Sequence, residues 1–475
     1  MSAIRPQAPE LPSGLAWVNT DDPPRLAMLR GRVVLVWFWT GDSVQCATMV
    51  PDLAALQARH HDGLCVIGIH CPKYGAQCAP AAVLRAVNRL RIEHPVASDP
   101  AFAVWRDYGV SAWPTVAVID AEGRLAARVA GAGHLELLDD LIGALLDEAA
   151  GQGLRVFESA VPAVRPEPRA SLRFPGKVLA TERLLYVADS GHDRVLECDH
   201  HGRVLRSFGS GHAGFTDGTG EEAAFSDPQG LALHRDQLYV ADRGNHAVRS
   251  VDLADGSVRT LLGTGAPGYR RPHDSDVRGL AACAPADLAI VGDQLYVAMA
   301  GLNQIWQVDL IARRARVLAG SGALDRIDGV GADAALAQPS GLAVANAQLV
   351  VADAAASAVR LVRLADGRVT TVVGSGLYAF GDAVGTCAVA RLQHPQAVAA
   401  GPRGSVFVAD SYNDAIKLIN LVAAKVSRPE LGYRLNEPSG LSVAAGALWV
   451  ANTGSHEIVR VDLSDGSARR VAVAD

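Results

Sequence analysis

Apolar and polar positions divide this chain into two stretches with different rhythms. Near the N-terminus the run Arg32-Val-Val-Leu-Val-Trp-Phe-Trp39 is almost continuously apolar, of strand length and β-branched content, as a strand buried on both faces would be. It stops at Thr40-Gly-Asp-Ser43, and from Cys46 onward the residues are helix formers with Leu53 and Leu56 on one face and no breaker after Pro51. A second apolar strand, Leu64-Cys-Val-Ile-Gly-Ile69, precedes a helical stretch over 79–90, so the order is β-α-β-α with a parallel pair and a right-handed crossover. Gly109-Val-Ser-Ala-Trp-Pro-Thr-Val-Ala-Val-Ile119 predicts a strand opened by Pro114, then a turn at Glu122-Gly123 and another strand. An amphipathic helix over 135–148 closes the unit. Residues 1–150 thus read as one α/β domain.

From residue 173 the pattern becomes short strands that repeat. Leu185-Tyr-Val-Ala-Asp189, Leu238-Tyr-Val-Ala-Asp242, Leu295-Tyr-Val-Ala-Met299, Leu349-Val-Val-Ala-Asp353, Val406-Phe-Val-Ala-Asp410 and Leu448-Trp-Val-Ala-Asn452 are six copies of one strand, spaced by 42–57 residues. Around each lie a Pro-x-Gly-Leu-Ala strand, a polar turn, a strand ending near Val-Asp-Leu, and a fourth strand ending in Gly. Four short strands at this period predict the blades of a propeller, here six over 173–475. Residues 151–172 carry three close prolines and no helical period, so they read as a semi-stiff connector.

The composition narrows the functional classes. Of 475 residues 49% are hydrophobic and 20% charged, with 47 Gly and 24 Pro, a globular mix rich in turns. Net charge is -6 and no run of Lys or Arg is long enough to neutralise successive phosphates, so nucleic acid is not an expected partner. No stretch approaches the roughly 20 apolar residues of a spanning helix, and Met1-Ser-Ala-Ile-Arg-Pro-Gln-Ala-Pro lacks the apolar core of a secretory signal, so no membrane association is expected. Seven cysteines, odd in number and sparse, fit a reducing compartment and a cytoplasmic location. Four of them, Cys46, Cys65, Cys71 and Cys78, are crowded together.

The N-terminal unit resembles a thioredoxin fold of the TlpA type. The resemblance rests on an active-site turn after a central strand, Pro51 five residues past Cys46, and Trp113-Pro114-Thr115 where that family holds a cis proline. It implies a C-x-x-C dithiol, and here those four positions are Ser43-Val44-Gln45-Cys46. The nucleophile's place is taken by a serine, whose hydroxyl stays protonated at neutral pH; Ser43 also suits a helix N-cap. Cys46 stands where the family's resolving cysteine is buried. A relocated pair, Cys46 with Cys71 or Cys78, is the alternative, because the loop after Ile69 should emerge at the same sheet edge. A charged His70 would lower a neighbouring thiol's pKa, whereas a hydrogen-bonded one would not. The degenerate redox site therefore comprises Ser43, Cys46, Cys71 and Pro114, with Pro114 expected to be cis.

The second unit resembles the NHL repeat, seen best around Asn245-His246. Together the two resemble the thioredoxin-like NHL-repeat proteins, and they imply a fold class of α/β thioredoxin-like domain plus all-β six-bladed propeller. The aspartates that end four of the six repeated strands could ring a metal, but residues repeated in every blade usually serve turns and strand bonding. Symmetry breaks at Met299 and Asn452, at 355–357, and in the insert Tyr269-Arg-Arg-Pro-His-Asp274; none forms a ligand set, so no metal or cofactor is expected. The leading expectation is a binding or scaffold protein for a protein or peptide partner. The long connections 212–225, 265–283, 324–336 and 377–392 should share one propeller face, bringing Tyr269, Arg270, Arg271, His273 and Tyr378 to a partner site, with Trp113 beside the thioredoxin-like cleft.

Overall fold

The computed structural model divides into two compact units, Met1–Pro168 and Arg169–Asp475, and describes residues 5–156 and 170–474. Most of the connector expected over 151–172 lies outside the described residues.

Six strands form one sheet in the first unit: β1 (Ala16–Val18), β2 (Val33–Trp39), β3 (Leu64–His70), β4 (Val96–Ser98), β5 (Thr115–Ile119) and β6 (Leu125–Ala130), in the order β1-β4-β3-β2-β5-β6. Four helices flank it: α1 (Val44–Arg59), α2 (Pro80–Leu90), α3 (Ala103–Asp107) and α4 (Leu135–Gly151). The continuous apolar run of β2 is explained by burial on both faces. Val33, Leu35, Trp37 and Trp39 pack with Leu53, Val83 and Ile142 from α1, α2 and α4. Val34, Val36 and Phe38 pack with Val104 and Tyr108 at α3. Trp39 pairs with His70 in the parallel β2–β3 ladder, and Phe38 with Thr115 in the antiparallel β2–β5 ladder. These registers bring the turn at 40–43, the loop after His70 and the cis Trp113–Pro114 bond to one sheet edge.

The second unit is six four-stranded antiparallel blades at 177–208, 228–262, 285–319, 339–373, 395–427 and 438–471. In blades two to five the incoming connection adds a two-residue strand outside the fourth: Gly218–Thr219, Ser275–Asp276, Gly329–Val330 and Gly385–Thr386. In blade one that outer place goes to the C-terminal segment, where the Val204 N–H donates to the Ala474 carbonyl (3.0 Å) and the Ala474 N–H to the Gly202 carbonyl (3.1 Å). The connections between blades meet the turns between second and third strands on one face, as the bonds Gly244 N–H to Ser226 O and Gly454 N–H to Asn436 O show (2.9 Å each). The four long connections therefore share that face.

A sixfold link joins the blades. The turn after each repeated strand ends on a left-handed residue, Asp193, His246, Asn303, Ser357, Asp414 or His456, with φ of 49–57°. Its side chain accepts the backbone N–H of Asp227, Ala284, Gln338, His394, Glu437 or Phe174 respectively, at the start of the next blade. The last of these joins blade six to blade one and closes the ring. Asn, Asp and His recur here because they tolerate the left-handed conformation and carry a short acceptor. Along the axis, Lys177 of blade one donates to Asp287 of blade three (3.3 Å) and to the carbonyls of Ser340 (2.9 Å) and Gln396 (2.7 Å) in blades four and five. The channel is crossed by this buried ion pair.

Candidate functional site

The turn that leaves β2 is held by polar side chains rather than by sulfur. Ser43 has extended backbone and accepts the Cys46 N–H at 3.2 Å, an N-cap of about 1 kcal/mol. Asp42 accepts from the Thr40 hydroxyl (2.5 Å) and from the Gln77 amide nitrogen (3.0 Å). The Gln77 carbonyl oxygen in turn accepts the N–H groups of Lys73 and Tyr74. The second loop is thereby stitched to the first. Asp42 anchors this network, a role that its position just before the Ser43–Cys46 motif did not announce.

None of the three buried thiols of this unit, Cys46, Cys65 and Cys71, is activated. Cys46 lies in the cluster of Trp37, Trp39, Met49 and Leu53, and burial pushes it up to about 12 although the Ser43 hydroxyl opposes the rise. Cys71 packs in the opposite cluster with Phe38 and Tyr108, its Sγ 3.9 Å from an Asp99 carboxylate oxygen. Burial raises Cys71 further, and the Asp99 charge adds to it. Cys78 is exposed, and all seven cysteines are free. His70, expected as a possible activator, is held neutral instead: burial lowers it to about 4. It stands edge-on to Trp39 at 4.8 Å, and Trp39 stacks on Trp37 at 5.1 Å. Trp113 meets Trp105 at 4.8 Å and Phe102 at 6.1 Å, forming an aromatic wall on α3's side of the edge. Ser43, Cys46, Pro114 and Trp113 are therefore gathered at one edge. Cys46 and Cys71 pack against opposite faces of the sheet.

In the propeller the repeated aspartates belong to a blade-by-blade code. Asp242, Asp353 and Asp410 each accept a backbone N–H at the start of their own blade, and each pairs with the cation seven residues on: Arg249, Arg360 and Lys417, at 2.8–2.9 Å. Each cation also reaches an aspartate of the incoming connection, Asp217, Asp328 or Asp382. Both members of every pair between a repeated aspartate and its cation are fully buried. Blade three replaces the pair by Met299 and Trp306, and blade six by Asn452 and Val459; where the carboxylate goes, the cation goes with it. Among the described residues no group of three or more His, Cys, Asp or Glu is arranged to hold a metal ion.

On the connection face Tyr269 is 51% and Tyr378 75% exposed. Arg271 donates to the Gly320 carbonyl at 3.0 Å, tying its loop to blade three, while Arg270 and His273 are exposed beside it. Tyr378 is on a different connection, separated from this group by the one that carries the exposed Leu324 and Ile327.

This architecture has known counterparts. A Redoxin family model matches residues 20–140, and an NHL repeat model matches 225–249. Human NHL repeat-containing protein 2 is 33% identical over 514 residues, covering 96% of this chain and 70% of that protein. The chain belongs to the NHL repeat-containing protein 2 family. The chloroplastic protein SUPPRESSOR OF QUENCHING 1 of Arabidopsis thaliana is 34% identical over 496 residues, 96% of this chain; the chain spans about half of that relative, 47% of its length. Protein DipZ of Mycobacterium tuberculosis (strain CDC 1551 / Oshkosh) is 34% identical over 145 residues, 30% of this chain and 21% of DipZ. Family membership thus covers both the thioredoxin-like unit and the propeller, a fold that generally mediates protein interaction. No helix among the described residues is long and apolar enough to cross a membrane.

Proposed function

We propose that this chain is a binding or scaffold protein whose thioredoxin-like domain has given up dithiol chemistry and whose propeller connection face receives a protein or peptide partner. The observation that carries the reading is Ser43: the position of the attacking thiolate holds a capping hydroxyl, and the remaining thiol behind it, Cys46, is pushed up to about 12. A thiol with that pKa is almost wholly protonated at neutral pH and is a poor nucleophile. Tyr269, Arg270, Arg271, His273 and Tyr378, with Trp113 at the other unit's aromatic wall, supply residue types enriched at binding hot spots. The sparse, largely buried cysteines suit a reducing compartment, and we place the protein in the cytoplasm on that ground.

Insulin reduction driven by dithiothreitol tests the first half. Turnover by the unmodified protein should match the protein-free control; activity that disappears in Cys46→Ala would overturn the reading. For the partner half, Arg270→Glu with Arg271→Glu should weaken retention of a partner in a pull-down, and unchanged retention would dispose of that surface.

One observation favours a second reading, a thiol-disulfide oxidoreductase using Cys46 with Cys71 or Cys78: the Trp39–His70 register brings the loop after β3, which carries Cys71 and Cys78, to the same sheet edge as the turn before Cys46. Mass spectrometry after mild oxidation separates the two readings. A linkage from Cys46 to Cys71 or Cys78 supports the oxidoreductase, and uniformly free thiols support the binding protein.

A further inference from the structure

Blade one departs from the code of its neighbours in a way that opens a cleft. Its repeated strand ends on Asp189, fully buried like Asp242, Asp353 and Asp410, but the position seven residues on, cationic in blades two, four and five, is Leu196. The carboxylate is met instead from the mouth of the blade. His192 Nδ1 lies 2.9 Å and Arg194 Nε 2.9 Å from Asp189 Oδ2, and Arg194 Nη2 donates to the Ser171 carbonyl at 3.0 Å. In the other three blades the cation is sealed in; here both groups stay partly open, His192 at 33% and Arg194 at 27%.

The outer edge differs as well. The place of a neighbour's two-residue strand is taken by Val473 and Ala474, and between this segment and the third strand lies a cavity of 360 Å³. Leu196, Val204 and Val473 give it apolar walls, and His192, Arg194 and Ser171 its polar end. That volume is in the range of small-molecule sites, as is the composition of an apolar body with a few convergent polar groups.

We propose that this cleft binds a small carboxylate with an apolar body. Arg194 Nη1 has no protein partner among the described residues and lies in a guanidinium already fixed in orientation by Asp189 and Ser171, so a carboxylate gains a charge-assisted bond without ordering a free side chain. Asp189 likewise holds the His192 ring through Nδ1, and that ring lines the cleft. The apolar body lies along Leu196, Val204 and Val473. The site is independent of the redox question, and its residues are distinct from Tyr269, Arg270, Arg271, His273 and Tyr378.

N-acetylphenylalanine is a suitable probe, with N-acetylphenylalanine amide as its neutral counterpart, both titrated into the full chain and followed by calorimetry or ligand-observed NMR. The acid should bind with a dissociation constant of about 1 mM or below and the amide at least about tenfold more weakly. Val204→Trp fills the cleft and should lower affinity for the acid about tenfold while leaving the melting temperature within a few degrees. Equal binding of acid and amide, no binding of the acid at about 10 mM, or unchanged affinity in a folded Val204→Trp variant would each overturn the proposal.

Discussion

His246 Nδ1 of blade two accepts the N–H of Ala284 at the head of blade three, 3.0 Å away, and it can do so only while its ring is neutral. Burial lowers this histidine to about 4 from an ordinary 6.5. A group whose pKa is depressed by folding contributes fully above its unfolded pKa and loses that contribution as pH falls. The propeller should therefore lose on the order of 3 kcal/mol between pH 6.5 and 4 from this residue, since each tenfold difference in proton affinity between the folded and unfolded chain is worth about 1.4 kcal/mol. His246→Asn keeps the acceptor without the titration, as Asn303 does in the next blade. Urea unfolding at pH 7 and 4.5 should show a smaller difference for this variant than for the parent.

Met299→Asp should be strongly destabilising, by about 3–5 kcal/mol, because it buries a carboxylate with no cation seven residues on. Adding Trp306→Arg places a guanidinium on the strand position that Arg249 and Arg360 hold, with Asp274 standing outside it as Asp217 does in blade two. The double variant should recover most of the loss in denaturant melts. A double variant no more stable than the single would show that the blade code is not transferable.

Ser43→Cys returns a thiol to the first position of the motif, three residues before Cys46 at the start of α1, where the helix dipole favours the thiolate. We expect measurable insulin reduction in this variant against none in the parent, at a cost of about 1 kcal/mol for the lost cap. Inactivity of a folded variant would mean that the Asp42–Gln77 network blocks access to the turn.

Lys177→Met should cost about 3 kcal/mol, since it leaves Asp287 buried without its cation partner. Replacing Asp287 by Asn in the same chain should return part of that stability, as thermal unfolding of the single and double variants would reveal. Equal melting temperatures for all three proteins would make the axial pair irrelevant to the ring.

Much of the architecture was legible because it is written in contiguous runs. The β2 sequence is apolar throughout because both its faces are covered, and the six copies of the Leu-Tyr-Val-Ala strand announce the blades directly. Pairings across strands were not legible. Arg249, Arg360 and Lys417 look like ordinary strand cations, and only the register that sets each beside the second strand of its blade puts it at a buried aspartate. The signal was present as a spacing of seven from each repeated aspartate, and its failure at Leu196 marks the cleft of blade one. At the N-terminal edge Ser43 and Cys46 could be placed from the motif. The partition of Cys46 and Cys71 to opposite faces could not, because it depends on how the loop after β3 turns.

The seam at Ala474 also has a temporal side. Val204 leaves the ribosome long before the residue that pairs with it, and at roughly 5–20 residues per second the interval is tens of seconds. Throughout that time the outer edge of the first blade presents unpaired backbone donors and acceptors, a template for pairing with another nascent chain. The first blade of the propeller to be synthesised is thus the last to be finished, its outer edge waiting on the segment at Ala474.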